Sequence, residues 1–419
     1  MSHGPVWHPF TQHALQPEAI EIARAEGAWL ERASGRRILD AISSWWVITH
    51  GHRHPRIIAA MKAQADQLDQ VIFAGFTHRP AEELAARLTK RVGLPHAFFS
   101  DSGSTAVEVA LKMALGFWRN QGLDRTRIIA FEHAYHGDTI GTMSAGARGI
   151  FNAPYDPLLF DVIRLPFPAK GREQETLDAL RAATVDGQAA ALIVEPLILG
   201  AGGMLTYAPH ALADMARICR ETQTLFIADE VMTGFGRTGT FLACEQAQVT
   251  PDILCLAKGI TGGSTPLAVT LASAPIFDAH YSQDRRKTFF HSSSYTANPI
   301  ACAAAVANLD VWETEPVQAR IAQIAQWQHE MSEALRADTR FTDVRLCGTI
   351  AAFDLRVSDE GYLASIGPKL YDFFVSRGLL LRPLGNTIYI MPPYCITHDE
   401  LASLYEAIKD AADTFGARA

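Results

Sequence analysis

The sequence predicts an α/β protein, a large and mainly parallel sheet between helices, joined to a smaller α+β domain. Three observations carry that prediction. From His96 to Ser273, short apolar runs alternate with helical stretches, the pattern of parallel strands covered on both faces. Two of those runs, Leu225-Phe-Ile-Ala-Asp229-Glu230 and Asp252-Ile-Leu-Cys-Leu-Ala-Lys258, end in charged residues, as buried strands do where they surface. From about Asn298 the texture changes to long Ala-rich helices with isolated strands.

Taken in order, Ala25–Ile42 reads as a hairpin around Ser34-Gly35. A helix begins at Pro55, with Ile57, Ile58, Met61, Ala65 and Leu68 on one face, and a second lies near Ala81–Val92. Strands are predicted at His96–Phe99, Arg127–Phe131, Ala190–Val194, Thr224–Asp229, Asp252–Ala257 and Leu267–Ser273. Helices follow at Pro299–Glu313 and Val317–Arg336. Strands near Val344–Leu355 and Thr387–Met391 bracket a helix at Gly367–Arg377, and a last helix spans His398–Thr414. The expected division is a large domain over 56–305, with a small domain formed by 1–55 and 306–419.

Composition narrows the function. With 419 residues, 48% of them apolar, the chain can bury a large core, and its net charge of −8 without basic tracts argues against nucleic acid. The N-terminus has neither a basic nor an apolar leader segment, and the most apolar stretch, Ala189–Met204, is broken by Glu195, Pro196 and glycines. Six scattered cysteines without a C-x-x-C pair read as reduced thiols. The expectation is a cytoplasmic globular protein with no membrane or nucleic-acid partner.

In an open α/β sheet, ligands sit at the carboxyl ends of strands. Asp229 and Lys258 are both placed there. Pyridoxal 5'-phosphate needs that pair, a lysine to hold its aldehyde and an acid to keep its ring nitrogen protonated. The alternative is two unrelated strand ends with solvated charges. Asp101-Ser-Gly-Ser104-Thr105 lies between a strand and the helix Val107–Trp118, where free amides and hydroxyls make an anion site. An ordinary cap, with Ser104 or Thr105 capping and Glu108 completing a capping box, accounts for the hydroxyls alone.

Three features point elsewhere. Gly234-Phe-Gly236-Arg-Thr-Gly239 matches a dinucleotide fingerprint, but no amphipathic helix opens after it; the glycines read as a tight loop bringing Arg237 near the site. His50-Gly-His52-Arg-His54 lacks a nearby Cys or carboxylate, so a loop of surface histidines explains it better than a metal, and no metal is expected. Trp45 and Trp46, in an extended segment, would point to opposite sides, one of them lining a cavity.

The ordered set Asp101-Ser-Gly-Ser104, Ala134-Tyr-His-Gly137, Ala228-Asp-Glu230, Gly234–Gly239 and Ala257-Lys-Gly259 resembles the class III (omega-type) pyridoxal-phosphate aminotransferases of fold type I. The resemblance covers nearly the whole chain and implies a seven-stranded, mainly parallel sheet. Trp7-His-Pro-Phe-Thr11, Ser43-Ser-Trp-Trp46, Pro251–Gly263, Leu381-Arg-Pro and Ile388–Tyr394 are similar to the biotin-pathway branch. That branch aminates 8-amino-7-oxononanoate to 7,8-diaminononanoate with S-adenosylmethionine as donor. Another omega-aminotransferase, taking a diamine, lysine or β-amino acid, is the alternative.

The resemblance also implies roles. Lys258 would carry the cofactor as a Schiff base and then shuttle a proton. Asp229 would pair with the ring nitrogen and Tyr135 would stack on the ring. Gly103 and Ser104 would hold the phosphate, with Ser293 and Ser294 of a neighbouring subunit, implying a homodimer with shared sites. Arg382 would grip the substrate carboxylate, and Trp45, Phe10, Ser292 and Tyr389 would meet the rest of the substrate. Two positions depart from the family. Ser292-Ser293-Ser294 stands where Gly-Pro-Thr is common, and Phe10 stands where a tyrosine is, which bears on the choice of amino donor.

Overall fold

In the computed structural model, which describes residues 4–16 and 18–417, the alternating region forms one seven-stranded sheet. Its strands in chain order are β1 His96–Ser100, β2 Arg127–Phe131, β3 Ile163–Leu165, β4 Ala189–Val194, β5 Leu225–Asp229, β6 Ile253–Leu256 and β7 Ala268–Ala272. The spatial order is β1-β7-β6-β5-β4-β2-β3. Every pairing is parallel except those of β7, which runs against both β6 and β1. Six of these strands are the expected ones. The seventh, β3, is three residues long on the sheet edge, too short for an apolar run to stand out.

The central strands are largely apolar because both faces are covered. On one face Ile128, Ala130, Ile193, Ile227, Ile253 and Cys255 pack under helix α1, Gly103–Asn120, through its Val107, Ala110, Leu111 and Ala114. The alternate residues Ile129, Phe131, Leu192, Val194, Phe226 and Leu254 face the other way, against the helices Arg79–Val92 and Pro209–Glu221. Successive strand residues point to opposite faces, so one sheet supplies two cores.

Three shorter sheets complete the fold. The predicted hairpin, Trp29–Arg32 with Arg37–Asp40, gains Ile22–Glu26 on one side and Leu379–Leu380, from far along the chain, on the other. Gly35, at φ +82°, makes its turn. Phe341–Cys347, Ile350–Leu355 and Thr387–Ile390 form an antiparallel three-stranded sheet; the segment expected as one strand near Val344–Leu355 is therefore a hairpin that turns at Gly348. Ile198–Leu199 pairs with Leu205–Thr206. The helices Pro299–Thr314, Val317–Arg336, Ile366–Ser376 and His398–Phe415 lie within a residue or so of their predicted bounds.

Two local expectations are corrected. Ser102, not Ser104 or Thr105, caps α1, and Thr105 closes the capping box by returning its hydroxyl to the Asp101 and Ser102 amides. Glu108 instead accepts from Thr139 and the Gly141 amide. The histidines are not on the surface. His50 is buried against Asn308, while His52 and His54 are mostly buried and pair with Asp40 and Glu315.

Candidate active site

The carboxyl edge of the sheet bounds a cavity of about 680 Å³, within the range of roughly 300–1,000 Å³ typical of small-molecule sites. Residues from five strand ends reach it: Gly103 and Ser104 beyond β1, Tyr135 and His136 beyond β2, Glu195 after β4, Asp229 closing β5, and Lys258 just past β6. The parallel direction of these strands brings residues far apart in sequence to one rim.

At the floor, Asp229 is buried with both oxygens directed. Oδ2 lies 2.7 Å from His136 Nδ1, and Oδ1 accepts from the Val231 amide at 3.1 Å. Lys258 sits at φ +46°, opening a tight turn. Burial lowers its ammonium to about 8, a shift that Asp229 and Glu195 partly offset. Its Nζ lies 4.8 Å from the Trp46 ring centroid. Glu195 is also buried and is pushed up to about 7, chiefly by desolvation, although its two oxygens accept from the Tyr135 and Gly200 amides at 2.9 Å.

At the head of α1, the cap and capping box satisfy Asp101, Ser102 and Thr105, and no protein acceptor meets the Gly103 and Ser104 amides among the described residues. Those amides begin the helix, where the macrodipole favours an anion. Gly137 packs so closely behind Ser104 that a Cβ there would fall 2.0 Å from the Ser104 hydroxyl. Amides and a hydroxyl for a phosphate, a buried carboxylate for a ring nitrogen, an aromatic wall from Tyr135 and a desolvated amine for an aldehyde are together the donor set that pyridoxal 5'-phosphate requires.

The mouth is aromatic. Phe10 meets Trp45 at 5.7 Å and Phe151 at 6.0 Å between ring centroids, and Phe151 meets Tyr362 edge-on at 4.4 Å. Arg382 lies over Trp45, its Cζ 5.3 Å from the ring centroid, and donates to the Phe10 carbonyl. It forms no ion pair among the described residues, and the N–H groups not given to Phe10 can meet a carboxylate. The Trp45-Trp46 segment is not extended, as expected, but coiled: Ser43, Ser44 and Trp46 have positive φ, and Asp40 holds the turn by accepting from the Ser44 amide. Both indoles consequently line the cavity. Trp46 Nε1 donates to the Tyr389 hydroxyl at 2.9 Å, so Tyr389 lines the cavity with its hydroxyl already engaged.

Of the residues named from sequence, Phe10, Trp45, Gly103, Ser104, Tyr135, Asp229, Lys258, Arg382 and Tyr389 converge here, whereas Ser292, Ser293 and Ser294 do not line this cavity. Arg237 lies behind it, buried, donating to the Ile48 and Pro392 carbonyls. Sequence reading missed His136, Glu195, Trp46, Phe151 and Tyr362. Glu195 carried the same signal as Asp229, an acid ending an apolar strand. Phe151 and Tyr362 come from irregular segments and carried none.

A parallel α/β sheet with a lysine and a carboxylate at adjacent strand ends has the arrangement of a pyridoxal-phosphate enzyme, and the chain belongs to the class-III aminotransferase family, whose model matches residues 10–412. These enzymes use pyridoxal 5'-phosphate. Among its relatives is the adenosylmethionine-8-amino-7-oxononanoate aminotransferase of Synechococcus elongatus, 47% identical over 98% of this chain and 99% of that one. The Geobacter sulfurreducens enzyme of the same name is 38% identical over 98% and 96%. Among solved structures, the Methanocaldococcus jannaschii enzyme of that name superposes with a TM-score of 0.93 at 33% identity, covering 98% of this chain and 97% of that one. An amine transaminase from an uncultivated Pseudomonas species, in its PLP-bound form, also gives 0.93 at 32% identity, covering 99% and 100%.

Proposed function

We propose that this chain aminates 8-amino-7-oxononanoate to 7,8-diaminononanoate in biotin synthesis, with S-adenosylmethionine as amino donor in a ping-pong cycle. The observation that carries the reading is the pairing of a free arginine with an aromatic channel. Arg382 suits the terminal carboxylate of a long ω-acid, and the rings of Phe10, Trp45, Phe151 and Tyr362 suit the aliphatic chain between carboxylate and reacting carbon. Full-length relatives named for this reaction support it.

When bound, the cofactor supplies an electron sink for the substrate's Cα–H bond. The remaining work falls to the chain. Lys258 is the residue that would hold the cofactor's aldehyde and move a proton at its Nζ; an amine lowered to about 8 is neutral for part of the time near neutrality and can act as base. Asp229, directed by His136, keeps the ring nitrogen protonated. Gly103 and Ser104 bind the phosphate, and Tyr135 covers the ring. Arg382 orients the acid end by a bidentate pair. Ser293 and Ser294, which do not line their own cavity, serve that of a second subunit in a homodimer, with Ser292 beside the substrate. We assign 56–305 to a large cofactor-binding domain and 1–55 with 306–419 to a small one, a division supported by the pairing of Arg37–Asp40 with Leu379–Leu380. Six free cysteines fit a reducing cytoplasm.

Complementation of a strain blocked at the diamine step, with Lys258→Ala as control, tests the reading. Donors are compared by the bleaching of the bound cofactor's visible band. Bleaching by lysine and not by S-adenosylmethionine would replace the proposed donor.

A further inference from the structure

Lys258 has a backbone conformation that residues with a side chain hold only where their surroundings over-determine it. The structure shows what surrounds it. Asn308, fully buried on the helix Pro299–Thr314, donates both side-chain N–H groups, to the Gly259 and Ile260 carbonyls, each at 3.0 Å. With its amide nitrogen committed, its Oδ1 must accept, and it faces His50 Nε2 at 2.8 Å. The tautomer follows: His50 carries its proton on Nε2, and the chain of bonds runs one way, from imidazole to amide to the two carbonyls after Lys258. The turn is also wedged from the side of His50. A Cβ on Gly259 would fall 2.8 Å from Phe235 Cβ and 3.2 Å from Thr49 Cγ2, and one on Gly263 would fall 2.5 Å from the Val47 carbonyl oxygen. The Thr49 amide donates to the Gly262 carbonyl.

We propose that His50 and Asn308 are positioning residues that hold the left-handed Lys258 turn, so that the first histidine of His50-Gly-His52-Arg-His54 aims the lysine instead of binding a metal. Neither side chain lines the cavity; both act through the backbone of the turn. His50 is packed against the rings of His54, Trp312 and Tyr394 at centroid distances of 5.8, 6.1 and 6.0 Å. Glu315, paired with His54 and Arg320, is the nearby acid. Burial brings the imidazole down to about 4, so it stays neutral through the working range and the brace keeps one hydrogen-bonding state. The inference rests on the reading of Lys258 as the cofactor-bearing lysine.

The test compares His50→Leu, which removes the donor, with His50→Gln, whose amide can still donate to Asn308. Asn308→Asp is added because it keeps the shape and cannot donate to two carbonyls. In the holoenzyme, His50→Leu and Asn308→Asp are expected to raise amide hydrogen exchange across 258–263 about tenfold. They should also move the pH at which the bound cofactor's visible band titrates, and lower kcat about tenfold with little change in KM. His50→Gln should recover most of each effect. Wild-type exchange and wild-type band titration in folded His50→Leu would overturn the proposal, as would a His50→Gln variant no better than His50→Leu. If Asn308→Asp does not fold, the His50 pair decides. Exchange reads the turn and not the chemistry. An active Lys258→Ala variant would therefore remove the lysine's role and leave the brace standing, whereas unchanged exchange would remove the brace alone.

Discussion

His136 Nδ1 and Asp229 Oδ2 lie 2.7 Å apart in a buried pocket, and the Val231 amide occupies the other carboxylate oxygen. The acid therefore has one orientation before any ligand arrives. Replacing His136 with Phe keeps the bulk and frees that oxygen. A hydrogen bond to a charged group contributes about 1.5–3 kcal/mol, so cofactor affinity should fall by roughly ten- to a hundredfold, measured as a dissociation constant by absorbance or fluorescence. Unchanged affinity would make the contact incidental.

Lys258 gives a pH prediction with a definite sign. Its folded pKa is about 8, below the ordinary 10.5, so folding favours the neutral amine. In the apoprotein the cost of holding it protonated is fully present below about pH 8 and disappears as pH rises toward 10.5. Lys258→Met apoprotein should thus melt above wild type at pH 6–7, with the gap narrowing above pH 8 and closing only as pH passes about 10.5. A gap independent of pH would mean the lysine is not desolvated.

Arg382→Ala should raise KM for the carboxylate-bearing acceptor by roughly ten- to a hundredfold, the loss of a charge-assisted pair. Arg382→Lys should recover little, because an ammonium cannot reproduce the planar fork. Steady-state kinetics against the acceptor and a decarboxylated analogue distinguish the two outcomes: the analogue should be insensitive to either change.

Gly137→Ala places a methyl where the Ser104 hydroxyl now stands, at a φ of +132°. Ser104 must move, and the variant should release cofactor on dialysis under conditions where wild type retains it. Equal retention would show that Ser104 does not hold the phosphate.

The sheet was legible because burial on both faces leaves a strand no polar alternation, and runs such as Ala189–Val194 announce themselves. The acids and the lysine at strand ends were legible for the same reason, as charges breaking apolar runs. What stayed hidden depends on contacts distant in sequence. The coil at Trp45-Trp46 is imposed by Asp40 holding the Ser44 amide, and no period in the sequence reports it. The burial of His50 depends on Asn308, on a helix far along the chain, so a histidine-rich loop looked like surface. Phe151 and Tyr362 meet only when two irregular segments fold over the cavity.

The one reversed strand, β7, sets a width. It lies between β1 and β6, so the phosphate-facing turn after β1 and the lysine after β6 are separated by two interstrand spacings, about 10 Å. Because β7 returns antiparallel, the chain after β6 needs no crossover helix and can stay at the rim as a short loop carrying Lys258 and Gly259–Leu267. A parallel β7 would have drawn that loop away across the face of the sheet. The place of a single strand thus works as a gauge for the distance between the two turns, and its direction keeps the second of them at the rim.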